Sequence, residues 1–265
     1  MVGTIDPLKS STFLSSLRAA RRLTFPVRAL TEREIQVLIG QGCLCDDWSL
    51  VKVAERFSPE RVRETRFRGK VILGRQYGWV NLEGSREPAG IERTTLEDAW
   101  VEDGAVIRDT TLVSRMRVGH GVAILGCGRI THRPGSHFGV GTPIALIETG
   151  GRVTRFFPEM TLDQAAGSAR PGGNVRALAA YLRKVEAYLA RSRSDHGVIQ
   201  AHSRILDTPR LENVFVGASA RIEGATRVSD SVILSDSEHP TVIEDGALVS
   251  ESGVQWGCRV SSLSV

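Results

Sequence analysis

Aromatic residues make up only 6% of this chain of 265 residues, and against that scarcity stand 27 glycines. Such a balance suits many short strands and corners. Cysteine is scarce as well. Cys43, Cys45, Cys127 and Cys258 are too few and too scattered for a disulfide framework, so a reducing, cytoplasmic setting is expected. One residue between Cys43 and Cys45 also falls short of the usual zinc-site spacing. No apolar run is long enough to span a membrane. The start, SSTFLSSLRAARRL, is basic and serine-rich and lacks the continuous apolar segment of a secretory signal; residues 1–29 are expected to form a disordered terminus. Neither GxGxxG nor GxxxxGK occurs, which argues against a fused nucleotidyltransferase domain, and no GxSxG elbow supplies a serine nucleophile. Charge is nearly balanced: 34 Lys and Arg against 30 Asp and Glu leave a net +4. That is enough to favour phosphate-bearing small molecules in a cleft and too little for a nucleic-acid footprint.

What the chain does have is a period. An apolar residue returns at about every sixth position, first at Val101, Ile107, Leu112, Val118, Ile124 and Ile130. A longer run follows at Ile199, Ile205, Leu211, Val216, Ile222, Val228, Leu234, Ile243, Val249, Val254 and Val260. Two units shrink to eleven residues at Ile107 to Val118, Ile205 to Val216 and Ile243 to Val254. A six-residue unit supplies one very short strand and a bend, with the apolar residue pointing inward and Gly, Asp, Asn or Ser at the corner. Three units close a coil, and coils must stack to bury their apolar faces. The expectation is therefore an all-β solenoid in one domain over residues 30–265.

Within it, residues 30–90 read as a helical and strand-rich leading cap. Thr31 and Glu34 form a capping box ahead of Ile35, Val37 and Leu38, and Gly42 is a fitting stop. Strand-like runs VRETRFRG and KVILG follow, then a first repeat block over 91–130. An insertion occupies 131–197. Its TPIALIETGGRVTRFF segment predicts a hairpin around Gly150 and Gly151, and Val175, Leu178, Leu182, Val185 and Leu189 predict a helix that Asn174 caps. The second block, 198–265, is still repeating at SSLSV; a fragment, a truncated product or a last coil covered by a partner is expected.

The units VGHGVA, VGASAR and IEDGAL resemble the bacterial hexapeptide-repeat proteins. That resemblance implies a left-handed parallel β-helix, a hand the spacing itself does not show. LTEREIQVLIGQGCLCDDW, ETGGR at Glu148 to Arg152 and VQWGCRV at Val254 to Val260 are similar to one uncharacterised family of longer proteins within that superfamily.

Hexapeptide-repeat acyltransferases commonly use a histidine base, and of the six histidines His120, in VGHGVA at a coil corner, is the chosen one. His132 and His137, in THRPGSHFGVG, lie where a loop folding back over the His120 coil would bring them to substrate. Glu148 is a second catalytic candidate, with Gly150 and Gly151 allowing close backbone approach and Arg152 offering a fork for phosphate or carboxylate. The GHGVAILGC stretch resembles the zinc repeat of gamma-class carbonic anhydrases, but Leu125 stands where that repeat has its second histidine, so no metal is favoured. The expected activity is transfer of an acyl group from acyl-CoA to a sugar or nucleotide-sugar amine or hydroxyl, in a homo-oligomer, a trimer by preference. The alternative is a non-enzymatic β-helix that binds a sugar phosphate or acts as a scaffold. Neither nucleic acid nor membrane is an expected partner.

Overall fold

The computed structural model describes residues 11–82, 84–145, 153–169 and 175–261. It is an all-β fold with few helices, built on a 21-stranded, mainly parallel sheet. Strands are short because a unit of about six residues must also turn a corner: Ala123–Leu125, Arg204–Leu206 and Arg221–Glu223 have three residues each.

The pairings sort into three ladders. In the first, Leu73, Val101, Val118, Ile199, Val216, Ile233 and Val254 lie one on the next. Val62, Ile91, Ile107, Ile124, Ile205, Ile222, Ile243 and Val260 form the second. The third holds Phe67, Leu96, Val113, Ile130, Leu211, Val228 and Val249. The chain visits them in turn, and the inward side chains from Val62 to Ile243 are fully buried. Each contributes about 1.5–3 kcal/mol relative to exposure.

Val113 and Ile233, rather than Leu112 and Leu234, point inward. The short step falls between the third ladder and the first, so the count from Ile107 runs six residues to Val113 and five to Val118. Because strand side chains alternate, a slip of one residue reverses the face, and Leu234 packs outside the coils. At this tight corner Asp98, Arg115, Asn213, Asp230 and Glu251 all take left-handed backbone with φ between 44° and 54°. Asn and Asp tolerate that region best, and the column is tied together by an Arg115–Asp98 ion pair of 2.9 Å and an Asn213 Nδ2 to Asp230 Oδ1 bond of 2.9 Å.

The ladders begin earlier than the leading cap was expected to allow, since Val62, Phe67 and Leu73 already occupy all three. With arginines and a glutamate between them, a single coil shows too few repeats for its period to stand out. Helix α1 (Thr12–Ala20) corrects the expectation of a disordered start: Phe13, Leu14 and Leu17 are buried. They pack with Phe138, Phe215, Val232 and Tyr188 in a second core outside the coils. Arg117 closes its far end, stacking 3.4 Å over Trp100 and donating to the Ala20 carbonyl. Burial, then nearby Arg21, lower the Arg117 pKa to about 10. Helix α2 (Glu32–Gly40) has the expected reciprocal Thr31–Glu34 capping box.

The insertion leaves after Thr131 and returns at Gly197 in register, Met116 on Gly197 and Val118 on Ile199. Pro143–Ala145 pairs antiparallel with Val153–Arg155, the expected hairpin, whose turn lies outside the described residues. Helix α3 (Leu162–Ala169) was not expected, and α4 (Val175–Ser192) buries Val185 and Tyr188 while Leu182 stays exposed. The proposed cap, Asn174, lies outside the described residues.

Glu159 joins insertion to terminus. Its Oε1 accepts from Ser11 Oγ at 2.7 Å and from the Phe13 N–H at 2.9 Å, and its other oxygen accepts from the Tyr188 hydroxyl. Glu159→Ala should weaken α1 docking by about 1–3 kcal/mol. Limited trypsin digestion at Arg18, Arg21 and Arg22 then accelerates roughly 5- to 150-fold; an unchanged rate would show that Glu159 does not hold the helix.

Candidate functional site

The corner between the first and second ladders is where chemistry-bearing side chains meet solvent. His120 and His202 sit there in adjacent coils, both exposed, with rings edge to face at 5.3 Å between centroids. His202 takes left-handed backbone at φ 60°, and its N–H donates to the His120 carbonyl at 2.9 Å. Glycine makes the arrangement possible. A Cβ on Gly121 would stand 2.8 Å from His202 Nδ1, so any larger residue would push that ring away.

Beside the histidines rises a hairpin, Trp79–Leu82 paired with Ser85–Pro88. Its base is fixed firmly. Asp103 accepts from the Arg75 N–H at 2.6 Å and from Nε and a terminal nitrogen at 2.8 and 2.7 Å. The Ala89 N–H donates to Gly78 O at 3.0 Å, and Arg108 grips the far strand through Glu87 at 2.6 Å and the Pro88 carbonyl at 2.7 Å. Tyr77 and Trp79 remain 51% and 57% exposed.

Hairpin and corner enclose a cleft of about 410 Å³ lined by Tyr77, Trp79, Asn81, His120, His202 and Arg204, with Gly104 and Gly121 opening its floor. This volume suits a small ligand. No carboxylate among the described residues lines it. Arg204, half-buried, forms no ion pair among the described residues. The described residues of the cleft therefore offer two aromatic faces, an amide, two imidazoles and one cation without an ion pair among them.

Among the candidates from the sequence, His120 lies in this cleft and the other two histidines do not. The loop after Thr131 does not fold back over the His120 coil, because Phe138 anchors it in the outer aromatic core. His137 lines a separate cavity of about 550 Å³ with Arg133, Arg155, Asp230 and Glu251, sharing no residue with the cleft. His132 is buried, with Nε2 3.0 Å from the Ser194 carbonyl and its ring 5.1 Å from Phe138. Glu148, Gly150, Gly151 and Arg152 lie outside the described residues. No cluster of three or more potential metal ligands occurs among the described residues.

The sequence reading missed His202, Arg204, Tyr77 and Trp79. A usable signal was there: His202 follows Ile199 much as His120 follows Val118, and the stacked register brings the two together.

Burial above all lowers the His132 pKa to about 4, against an ordinary 6.5, with the Ser194 carbonyl opposing and His196 adding to the shift. A depressed folded-state pKa means that the unfolded chain takes up the proton first. Stability from neutral His132 is therefore complete above about pH 6.5 and is lost as pH falls towards 4, by up to about 3 kcal/mol. Denaturant unfolding at pH 7.5 and pH 4.5 should show this loss, and His132→Phe should remove most of it; an equal slope in both proteins would exclude His132 as its source.

An uncharacterised protein of Treponema pallidum (strain Nichols) is 25% identical over 250 residues, taking in 88% of this chain and 34% of the relative. The chain thus spans about a third of that protein's length. The family described as Domain of unknown function (DUF4954) matches residues 27–265, which take in all three ladders and their insertion, and the chain belongs to that family.

Proposed function

We propose that the three ladders wind as a left-handed parallel β-helix of the hexapeptide-repeat superfamily, and that the chain transfers an acyl group from acyl-CoA to an amine or hydroxyl of a sugar or nucleotide sugar. The hexad leads of VGHGVA, VGASAR and IEDGAL support the first part, together with coils of two six-residue steps and one five-residue step. The left hand is an exception to the common crossover rule.

One observation carries the second part: exposed His120 at the corner of a cleft with the room and polarity for a small polar ring. In this reaction His120 accepts the proton from the acceptor N–H or O–H as the nucleophile attacks the thioester carbonyl. The new C–N or C–O bond forms, the C–S bond breaks, and the CoA thiolate leaves to be protonated. Catalysis then rests on approximation and base assistance, with no covalent intermediate on the protein. The setting is cytoplasmic and the assembly a trimer, so light scattering should return three times the 28.8 kDa chain mass. A monomer would count heavily against the transfer reading.

General-base help contributes about 10²–10⁴-fold, so His120→Ala should lose that much kcat with acetyl-CoA and a panel of amino sugars and nucleotide sugars. Unchanged turnover would remove His120 from the reaction. Ligand binding without turnover or any response to CoA would favour a non-enzymatic sugar-phosphate-binding protein.

A further inference from the structure

The cleft's composition says more than the position of one histidine. Among the described residues its lining contains Arg204 without an ion pair, His202 and Asn81, and no carboxylate to oppose them. A half-buried cation without a counter-charge keeps its full attraction for an anion, since solvent screens it less than it would a free surface arginine. Several other outward arginines on the coils are held by carboxylates. Arg227 pairs with Glu212 at 3.3 Å, and Arg210 pairs with the same residue at 3.0 Å. Arg108 pairs with Glu87 at 2.6 Å. Arg204 stands in the same ladder column as Arg221, which is paired with Glu223 at 3.1 Å, yet Leu206 replaces the acidic neighbour in its own coil.

The aromatic side of the cleft is equally specific. Tyr77 and Trp79 sit at the root of a hairpin pinned at both strands, so their rings are presented without much freedom to turn away. Arg75 lies 4.9 Å from the Tyr77 ring centre and Arg86 lies 5.8 Å from that of Trp79, bracing the rings by cation–π contact. Large exposed aromatic rings beside hydrogen-bonding groups suit a ligand with one apolar face and a polar edge. A sugar ring has such a face in its C–H groups.

We infer that this cleft binds a phosphorylated sugar, with the phosphate on Arg204 and His202 and the sugar ring across Trp79 and Tyr77. The inference rests on the acyl-transfer reading only in treating this sugar as the acceptor, whose free amine or hydroxyl then faces His120. The phosphate is an anchor and is not transferred, so no bond to phosphorus forms or breaks.

The test is tryptophan fluorescence and thermal shift on the whole chain, titrated with glucose 6-phosphate, glucosamine 6-phosphate, glucose, inorganic phosphate, UDP and UDP-glucose. Expected is saturable binding of a sugar phosphate at least about tenfold tighter than glucose or phosphate alone, a margin of one good charge-assisted contact. Arg204→Gln should abolish that margin while leaving the unliganded melting temperature unchanged. Trp79→Ala should reduce the sugar phosphate to the affinity of inorganic phosphate. Equal affinity for glucose and its phosphate, an unaffected Arg204→Gln variant, or no binding of any probe would overturn the inference. UDP binding as tightly as UDP-glucose would overturn it also, because the rings would then be holding a base. Acetyl-CoA titrated in parallel separates the two readings. Sugar-phosphate binding without a CoA response would leave this site standing and remove the transfer reading, and a CoA response without sugar-phosphate binding would do the reverse.

Discussion

Everything in this molecule depends on coils that cannot stand alone. A coil of three short strands has an inward residue on each, too few to exclude water until another coil lies above and below it. Ile107 is buried because Ile91 and Ile124 flank it in the same ladder, and the same holds along the second ladder to Ile243. Backbone hydrogen bonds follow the same rule, since adjacent coils exchange them in both directions: the Ala123 N–H donates to the Ser203 carbonyl and the Asp207 N–H to the Leu125 carbonyl. Stability is thus a sum over contacts between adjacent coils, and an end needs a cover. Helix α2, with Leu38 fully buried against the coil interior, provides one such cover.

With the interior committed to aliphatic columns, variety is confined to the corners and the outer faces. The first ladder's outer face carries Val198, Phe215 and Val232 and is roofed by α1, α4 and Phe138. The outer columns of the other ladders carry arginine and glutamate pairs such as Arg221–Glu223. Polar groups with room to act are left at the corner where the hairpin rises. The insertion is anchored elsewhere, at the tight corner after Thr131, and its buried His132 serves the packing of that anchor.

The periodic part of the fold was legible in the sequence because each inward position repeats many times, so single errors do not hide it. Leu112 and Leu234 were misassigned where the step shortens, since both are apolar and adjacent to the true inward residues. Val62, Phe67 and Leu73 escaped notice for the opposite reason: the hairpin between Leu73 and Ile91 breaks the spacing, so the coil that stacks on them does not follow at the repeat interval. Helix α1 depends on three apolar residues finding a core made by distant parts of the chain, which no local pattern announces. His120 was legible from its corner, whereas His202, 82 positions further on in the chain, became its neighbour only because the long insertion returns in register. Tyr77 and Trp79 carried no signal, because an aromatic residue in a short hairpin looks the same whether it faces a neighbour or solvent.

That return in register gives the corner column an unusual property. Successive coils are spaced by the strand-to-strand distance, about 4.8 Å, so groups along the column occupy fixed graduations, like marks on a ruler. The 5.3 Å between the His120 and His202 rings is close to one graduation. A chain of this kind alters reach in whole steps: moving a side chain to the next coil displaces it by one strand spacing while the scaffold beneath is unchanged. Ligand length, rather than loop flexibility, then decides which marks are bridged together.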